Sequence, residues 1–418
     1  MTRPRLDVAE VIRSCYDEFL ERFGKGLTPQ QRRALDDLAS CRTAALGGHR
    51  DHCATCGYVR ISYNSCRDRH CPKCQGAQRA AWLESRLQRL LPVQYFHVVF
   101  TLPDGLYPLI LQNKAVLYDL LFATAAQTLL TLAADPKRLG AHIGFTAILH
   151  TWGQKLLFHP HLHCVVTGGG LTNDGSRWIA GRQGYFLPVK VLGRLFRGKF
   201  LAGLKQAYGD GQLQMHGALA TLVKPQVFGR WLDPCYRKDW VVYAKRPFGG
   251  ATQVFRYLGR YSHRVAISNG RLVSMDAGQV RFRYKDYADG HQLKVMTVAA
   301  AEFIRRFLLH VLPKQFVRLR HYGLLASRNV ATKWARCRQL LQSEPLPQRQ
   351  PAQQGFVDVH LQVAAGPAER GRHVVGHHLG CDHRQRLALR RVDLARHDGR
   401  ARLVGGDPQL GEAVARAA

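Results

Sequence analysis

Apolar residues recur at helical spacing near the start of the chain, where Val8, Ile12, Tyr16, Phe19 and Leu20 place helix within residues 5–40 and Pro29 opens a second helix. Between Cys41 and Cys74 the periodicity gives way to short polar runs rich in Cys, His and Arg, a texture that needs a metal staple because so little apolar area can be buried. Beyond it the pattern predicts a helix over 75–91, a strand over 95–102, a long helix over 109–133, strands over 142–151 and 161–167, and a basic helix over 188–208. Residues 240–244 read as a strand, 252–263 as a helix, and 280–284 with 293–298 as a hairpin across Asp289-Gly290. This alternation defines an α+β protein.

After Lys333 there is no further lysine, while Arg, His, Gly and Ala accumulate without apolar periodicity. The expected organisation is a helical and zinc-binding region over 1–92, a central domain over 93–335, and a basic, poorly ordered tail over 336–418. An alternative for the tail is translation out of frame, since GC-rich DNA gives this bias in an unselected frame.

Lys and Arg number 61 against 29 for Asp and Glu, a formal charge of +32. Such an excess points to a polyanionic partner, held by a counterion-releasing attraction that weakens with salt. The most apolar stretch, 117–134, is interrupted by Asp119, Gln127 and several Thr and reads as a buried helix, not a membrane span. No apolar export run occupies the N-terminus, so a reducing cytoplasm is expected, where clustered cysteines hold metal.

Cys53-Ala-Thr-Cys56 and Cys71-Pro-Lys-Cys74, fourteen residues apart, are two knuckles able to converge on Zn2+. His49, Cys66 and His70, with His52 and Cys41, are alternates that could replace one of these cysteines or hold a second ion. Arg67, Arg69 and Lys73 beside them are candidates for DNA contact.

His161 and His163 flank Leu162 on the 161–167 strand and so share a face, from which two imidazoles can hold one divalent cation. A third ligand must come from elsewhere, and Gln154 is the nearest candidate. Gly168, Gly169 and Gly170 would permit close backbone approach by a ligand. Tyr257 and Tyr261 stand four apart on the 252–263 helix, one turn from each other, flanked by Arg256, Arg260 and Arg264. A phenol is a weak nucleophile at neutral pH, and a cation gripping a phosphodiester supplies the missing activation.

These residues carry a resemblance. The runs from Asn64 to Arg67, Arg69 to Cys74, His159 to His163, Trp240 to Lys245 and Tyr257 to Asn269 resemble the insertion-sequence 91 family of rolling-circle transposases, members of the His-hydrophobic-His endonuclease superfamily. The resemblance spans residues 10–335. It implies an N-terminal zinc domain before an antiparallel sheet flanked by helices, with His161 and His163 as metal ligands and Tyr257 and Tyr261 as nucleophiles. It further implies Mg2+ or Mn2+ at the histidines, single-stranded element ends as substrate, 5′-phosphotyrosine intermediates, and a bacterial, nucleoid-associated setting. Replication initiators and relaxase-type nickases use the same chemistry, and a non-catalytic zinc-dependent DNA-binding protein would share the charge and cysteines. The departure is the C-terminus, where Cys337 and Cys381 stand isolated in place of a further cysteine motif.

Overall fold

The computed structural model describes residues 6–53, 56–74, 76–184, 186–245, 252, 259, 266–342, 389–395 and 402–403. They fall into two compact units, one of residues 1–39 with 66–344, the other of residues 40–65 with 345–418.

In the larger unit, α1 (Val8–Ser14), α2 (Tyr16–Phe23) and α3 (Pro29–Ala39) open the chain. Asp7 and Glu10 form a reciprocal capping box that satisfies two otherwise orphaned amides of α1. The apolar stripe is buried as expected, with Val11, Phe19, Leu35 and Leu38 fully enclosed. In the smaller unit, β1 (Gly48–Cys53) and β2 (Val59–Tyr63) make an antiparallel hairpin. Of the region expected to be a poorly ordered tail, the described residues are 336–342, which complete the short helix Ala335–Leu340, and Leu389–Ala395 and Arg402–Leu403, strands that extend this hairpin.

The larger unit continues with α4 (Gly76–Leu87), β3 (Tyr95–Thr101), α5 (Tyr107–Gln112), α6 (Lys114–Ala134), β4 (Gly144–Trp152) and β5 (Phe158–Thr167). The short β6 (Gly169–Leu171) and β7 (Trp178–Ala180), then α7 (Val189–Gly209), α8 (Pro225–Arg237) and β8 (Val242–Lys245), follow. A meander of β9 (Leu272–Asp276), β10 (Gln279–Asp286) and β11 (Gln292–Ala299) leads into α9 (Ala300–Leu309) and β12 (Leu319–Gly323). The expected antiparallel sheet flanked by helices is present: five strands in the order β12-β4-β5-β3-β8, every described pairing antiparallel.

Strand alternation sorts the two faces of this sheet. Phe96, Val98, Phe100, Phe145, Leu149, Leu162, Cys164 and Val166 join α6 and α7 in the main core with Leu121, Phe122, Phe196 and Phe200. Burying each such large side chain contributes about 1.5–3 kcal/mol. The opposite face presents Tyr95, Ile148 and Val165 to Trp82, Leu83 and Leu87 of α4, and beyond them a row of histidines. The one described helix long and apolar enough to cross a membrane is α6, and its Tyr118, Leu121, Phe122 and Leu129 are fully buried.

Two expectations changed. The long helix breaks at Asn113 (φ −125°, ψ 40°), whose side chain exchanges hydrogen bonds with the backbone of Gln214. The glycine run is required by the protein's own backbone: a Cβ on Gly169 would stand 2.6 Å from the Ile179 carbonyl oxygen, and one on Gly170 2.3 Å from that of His142.

Candidate metal centres

β4 and β5 pair in a register that sets His150 directly opposite His161 and Ile148 opposite His163. Ligand atoms of His150, His161 and His163 consequently all lie within 4.8 Å of one another. The Nε2 atoms of His161 and His163 are 3.0 Å apart, a separation that suits two donors on adjacent corners around one ion. The centre thus contains both histidines expected from the sequence. Gln154 is not part of it: its side chain reaches Tyr287 Oη at 3.4 Å and accepts from the Lys285 amide at 3.4 Å. The third imidazole is His150, whose place depends on strand register rather than on nearness in sequence.

Two further groups orient the imidazoles. His163 Nδ1 lies 2.8 Å from His97 Nε2 on β3, and the rings stack at 5.0 Å. His161 Nδ1 donates to the His159 carbonyl at 2.7 Å, which leaves Nε2 as its lone-pair nitrogen. His159 itself turns aside to Tyr107 Oη at 2.7 Å. Burial pushes His161 down to about 4, helped by the neighbouring His159, and pushes His97 down to about 4. His150 and His163 are lowered well below the ordinary range, first by burial, then at His150 by His161 and Arg318 and at His163 by His150 and His161. At neutral pH the cluster is therefore uncharged, the form that donates to a cation.

The centre floors a cleft of about 820 Å3 whose charged lining is Lys155, Arg271 and Lys285 against Asp104 and Asp286, with Trp152 and Tyr287 beside them. Tyr257 and Tyr261, with Arg256, Arg260 and Arg264, lie outside the described residues. Within that segment Thr252 and Gly259 are helical, as expected. Gly259 is buried, and a Cβ there would meet Leu83 at 3.5 Å and Trp82 at 3.6 Å, on the helix that covers the histidine-bearing sheet face.

A second group brings together thiols. The Sγ atoms of Cys41, Cys66, Cys71 and Cys74 all lie within 4.8 Å of one another, with Cys66 and Cys74 at 3.6 Å. Four thiolates at such spacing fit tetrahedral Zn2+, for which Zn–S is about 2.3 Å. The group shares Cys71 and Cys74 with the pair of knuckles but takes Cys41 and Cys66 where Cys53 and Cys56 were expected. Cys53 ends β1 and Cys56 is exposed in the turn toward β2. Neither His49, on β1, nor His70 belongs to the group. Both ring nitrogens of His70 are engaged, Nδ1 with Asp68 at 2.9 Å and Nε2 as acceptor for the Leu312 amide at 3.2 Å. Of the neighbouring cations, Arg69 donates to the Phe316 carbonyl at 2.8 Å, Lys73 pairs with Asp7, and Arg67 is exposed.

A strongly basic chain whose antiparallel sheet carries a desolvated imidazole cluster beside a cationic cleft is of a kind suited to processing nucleic acid. Comparison with known proteins narrows this. Residues 11–102 match a family model described as "Transposase zinc-binding domain", and residues 144–332 one described as "Putative transposase". The protein named "Putative transposase y4qJ" from Sinorhizobium fredii (strain NBRC 101917 / NGR234) is 54% identical over 86% of this chain and 90% of its own length. The transposase for insertion sequence element IS801 from Pseudomonas savastanoi pv. phaseolicola is 30% identical over 75% of this chain and 74% of its own. Among solved structures, the conjugative relaxase TrwC in complex with oriT DNA, a metal-free structure, is 14% identical with a TM-score of 0.22. That match covers 43% of this chain and 67% of the relaxase, and the likeness is too slight to carry an argument.

The chain belongs to the insertion-sequence 91 family of transposases. It is accordingly a DNA strand-cutting and strand-transferring enzyme with a zinc-binding domain.

Proposed function

We propose that this transposase cuts and rejoins single-stranded DNA at element ends in a rolling-circle manner, with Tyr257 and Tyr261 as nucleophiles. The observation that carries the reading is the convergence of His150, His161 and His163 on one point of a cationic cleft. Keeping several imidazoles desolvated and adjacent is costly, and a use for their lone pairs accounts for the arrangement. His150, His161 and His163 would hold a divalent cation, Mg2+ or Mn2+, whose chemistry is to draw charge from the non-bridging oxygens of a phosphodiester.

In the forward step the phenolic oxygen of one tyrosine attacks phosphorus in line. The bond to the 3′ oxygen breaks, the phenolic proton is lost to solvent, and the departing oxygen takes one up. The products are a 5′-phosphotyrosine and a free 3′-hydroxyl. Attack by a 3′-hydroxyl reverses the sequence and seals the strand without an external energy source, because the phosphotyrosine retains the phosphodiester energy. Two tyrosines four residues apart allow two strands to be held during exchange. Gly259, between them in sequence, is buried against α4 of the histidine-bearing unit, which supports this reading. Zn2+ held by Cys41, Cys66, Cys71 and Cys74 has a structural part, since a closed four-thiolate site leaves no position for substrate.

The test is incubation of the full chain with end-labelled single-stranded DNA and Mn2+, followed by denaturing electrophoresis. A covalent protein–DNA band abolished by EDTA is expected. Absence of any adduct with single-stranded element ends would overturn the tyrosine reading and favour a DNA-binding role without cleavage.

A further inference from the structure

The β9–β11 meander has one face packed on α9 through Val280, Phe282 and Phe303. Its other face is open to solvent. Along β10 the outward positions are Arg281, Arg283 and Lys285, all exposed. Strand geometry sets successive outward residues about 7 Å apart, so three cations stand in a straight row. Among the described residues none of the three forms an ion pair. The adjacent carboxylates do not neutralise the row, because Asp286 and Asp289 are both held by Lys294, at 3.4 and 2.7 Å.

The neighbouring strand adds a second feature. Register places Thr297, Val295 and Leu293 of β11 directly opposite Arg281, Arg283 and Lys285. Leu293 is 78% exposed and Val295 47% exposed, unusual for aliphatic residues on a soluble face. A cationic row flanked by an apolar row suits a strand whose phosphates face one side and whose unstacked bases lie on the other. A duplex keeps its bases inside and has no use for the apolar row.

The row also leads to the histidine centre. Lys285 and Tyr287, at its end, line the same cleft as His161 and His163. Arg271 fastens this end in place by donating to the Arg283 carbonyl at 2.7 Å and to the Gln154 carbonyl in the loop after β4.

We infer that the outer face of β10 and β11 is a track for single-stranded DNA that feeds the strand toward the His150–His161–His163 centre. Arg281, Arg283 and Lys285 contact successive phosphates, and Val295 and Leu293 contact bases. The inference rests on the reading that a single strand is cut at that centre.

The test measures binding of a fluorescein-labelled single-stranded oligonucleotide of mixed sequence to the full chain across a salt series in EDTA, where no cleavage occurs. For single strands, log K falls with log[salt] by about 0.7 per phosphate contact. The triple variant Arg281→Gln, Arg283→Gln, Lys285→Gln should lower the magnitude of the slope by about 2, with an unchanged melting temperature. Arg281→Lys with Arg283→Lys, which keeps all three charges, should retain the parental slope. Leu293→Ser with Val295→Ser should weaken binding severalfold without altering the slope. A parental slope in the triple variant overturns the track, as does an effect seen with duplex and not with single-stranded DNA. If the triple variant behaves as expected but the unaltered protein forms no covalent adduct, the track stands and the tyrosine chemistry falls.

Discussion

Lowering the pH from 7 to 5 should destabilise the metal-free protein sharply. His97, His161 and His321 are each pushed down to about 4, burial being the first cause in every case, with the charges of Arg86 and Arg89 adding to it at His321. The unfolded chain binds a proton at each near pH 6.5, whereas the folded chain resists until about 4. Their contribution is thus fully present above 6.5 and is lost as pH falls toward 4. At pH 5 the difference amounts to about 2 kcal/mol per histidine. Three together reach about 6 kcal/mol, a large part of an ordinary folding free energy of about 5–15 kcal/mol. Most carboxylates remain ionised in this range, so the histidines dominate it. Urea unfolding in EDTA at half-unit pH steps reads the effect, and His97→Gln should reduce the pH slope by close to one proton. An unfolding free energy level between pH 7 and 5, or an unaltered slope in His97→Gln, would refute the reasoning.

Other consequences can be checked singly. Cys66→Ser should lose zinc in metal analysis and lower the melting temperature, whereas Cys53→Ser should keep the metal; the opposite result would restore the two-knuckle reading. His150→Ala should weaken Mn2+ binding by at least tenfold in calorimetry while Gln154→Ala leaves it within a factor of two; equal losses would place Gln154 among the ligands. Tyr257→Phe and Tyr261→Phe should each abolish transposition in cells with DNA affinity unchanged, and loss of binding in both would mean that the rings pack rather than react.

Long, strongly periodic elements were legible in the sequence. The expected strand over 95–102 is Tyr95–Thr101, and the basic helix over 188–208 is Val189–Gly209. The hairpin across Asp289-Gly290 appears with Gly290 at φ 53°, as a turn there requires. What escaped was set by tertiary pairing. β5 begins at Phe158, ahead of Pro160, and the β4–β5 register shifts between His150 and Trp152 beside that proline, the kind of irregularity at which a strand tolerates one. β12 is a short edge strand without clear alternation, and β9 carries only five residues.

The site divides along the same line. His161 and His163 are separated by one residue of one strand, so alternation alone puts them together. His150 and His97 come from neighbouring strands, and only the registers His150↔His161 and Val99↔His163 bring them in. The cysteines teach the reverse lesson. Cys53 and Cys56 are close in sequence and look like a knuckle, yet the thiols that converge with Cys71 and Cys74 are Cys41 and Cys66.

The histidine centre as a cation site is tested most directly by pulsed electron paramagnetic resonance of bound Mn2+. Coupling to three imidazole nitrogens is predicted, falling to two in His150→Ala. A spectrum without nitrogen coupling, or one unchanged by that substitution, would contradict the account.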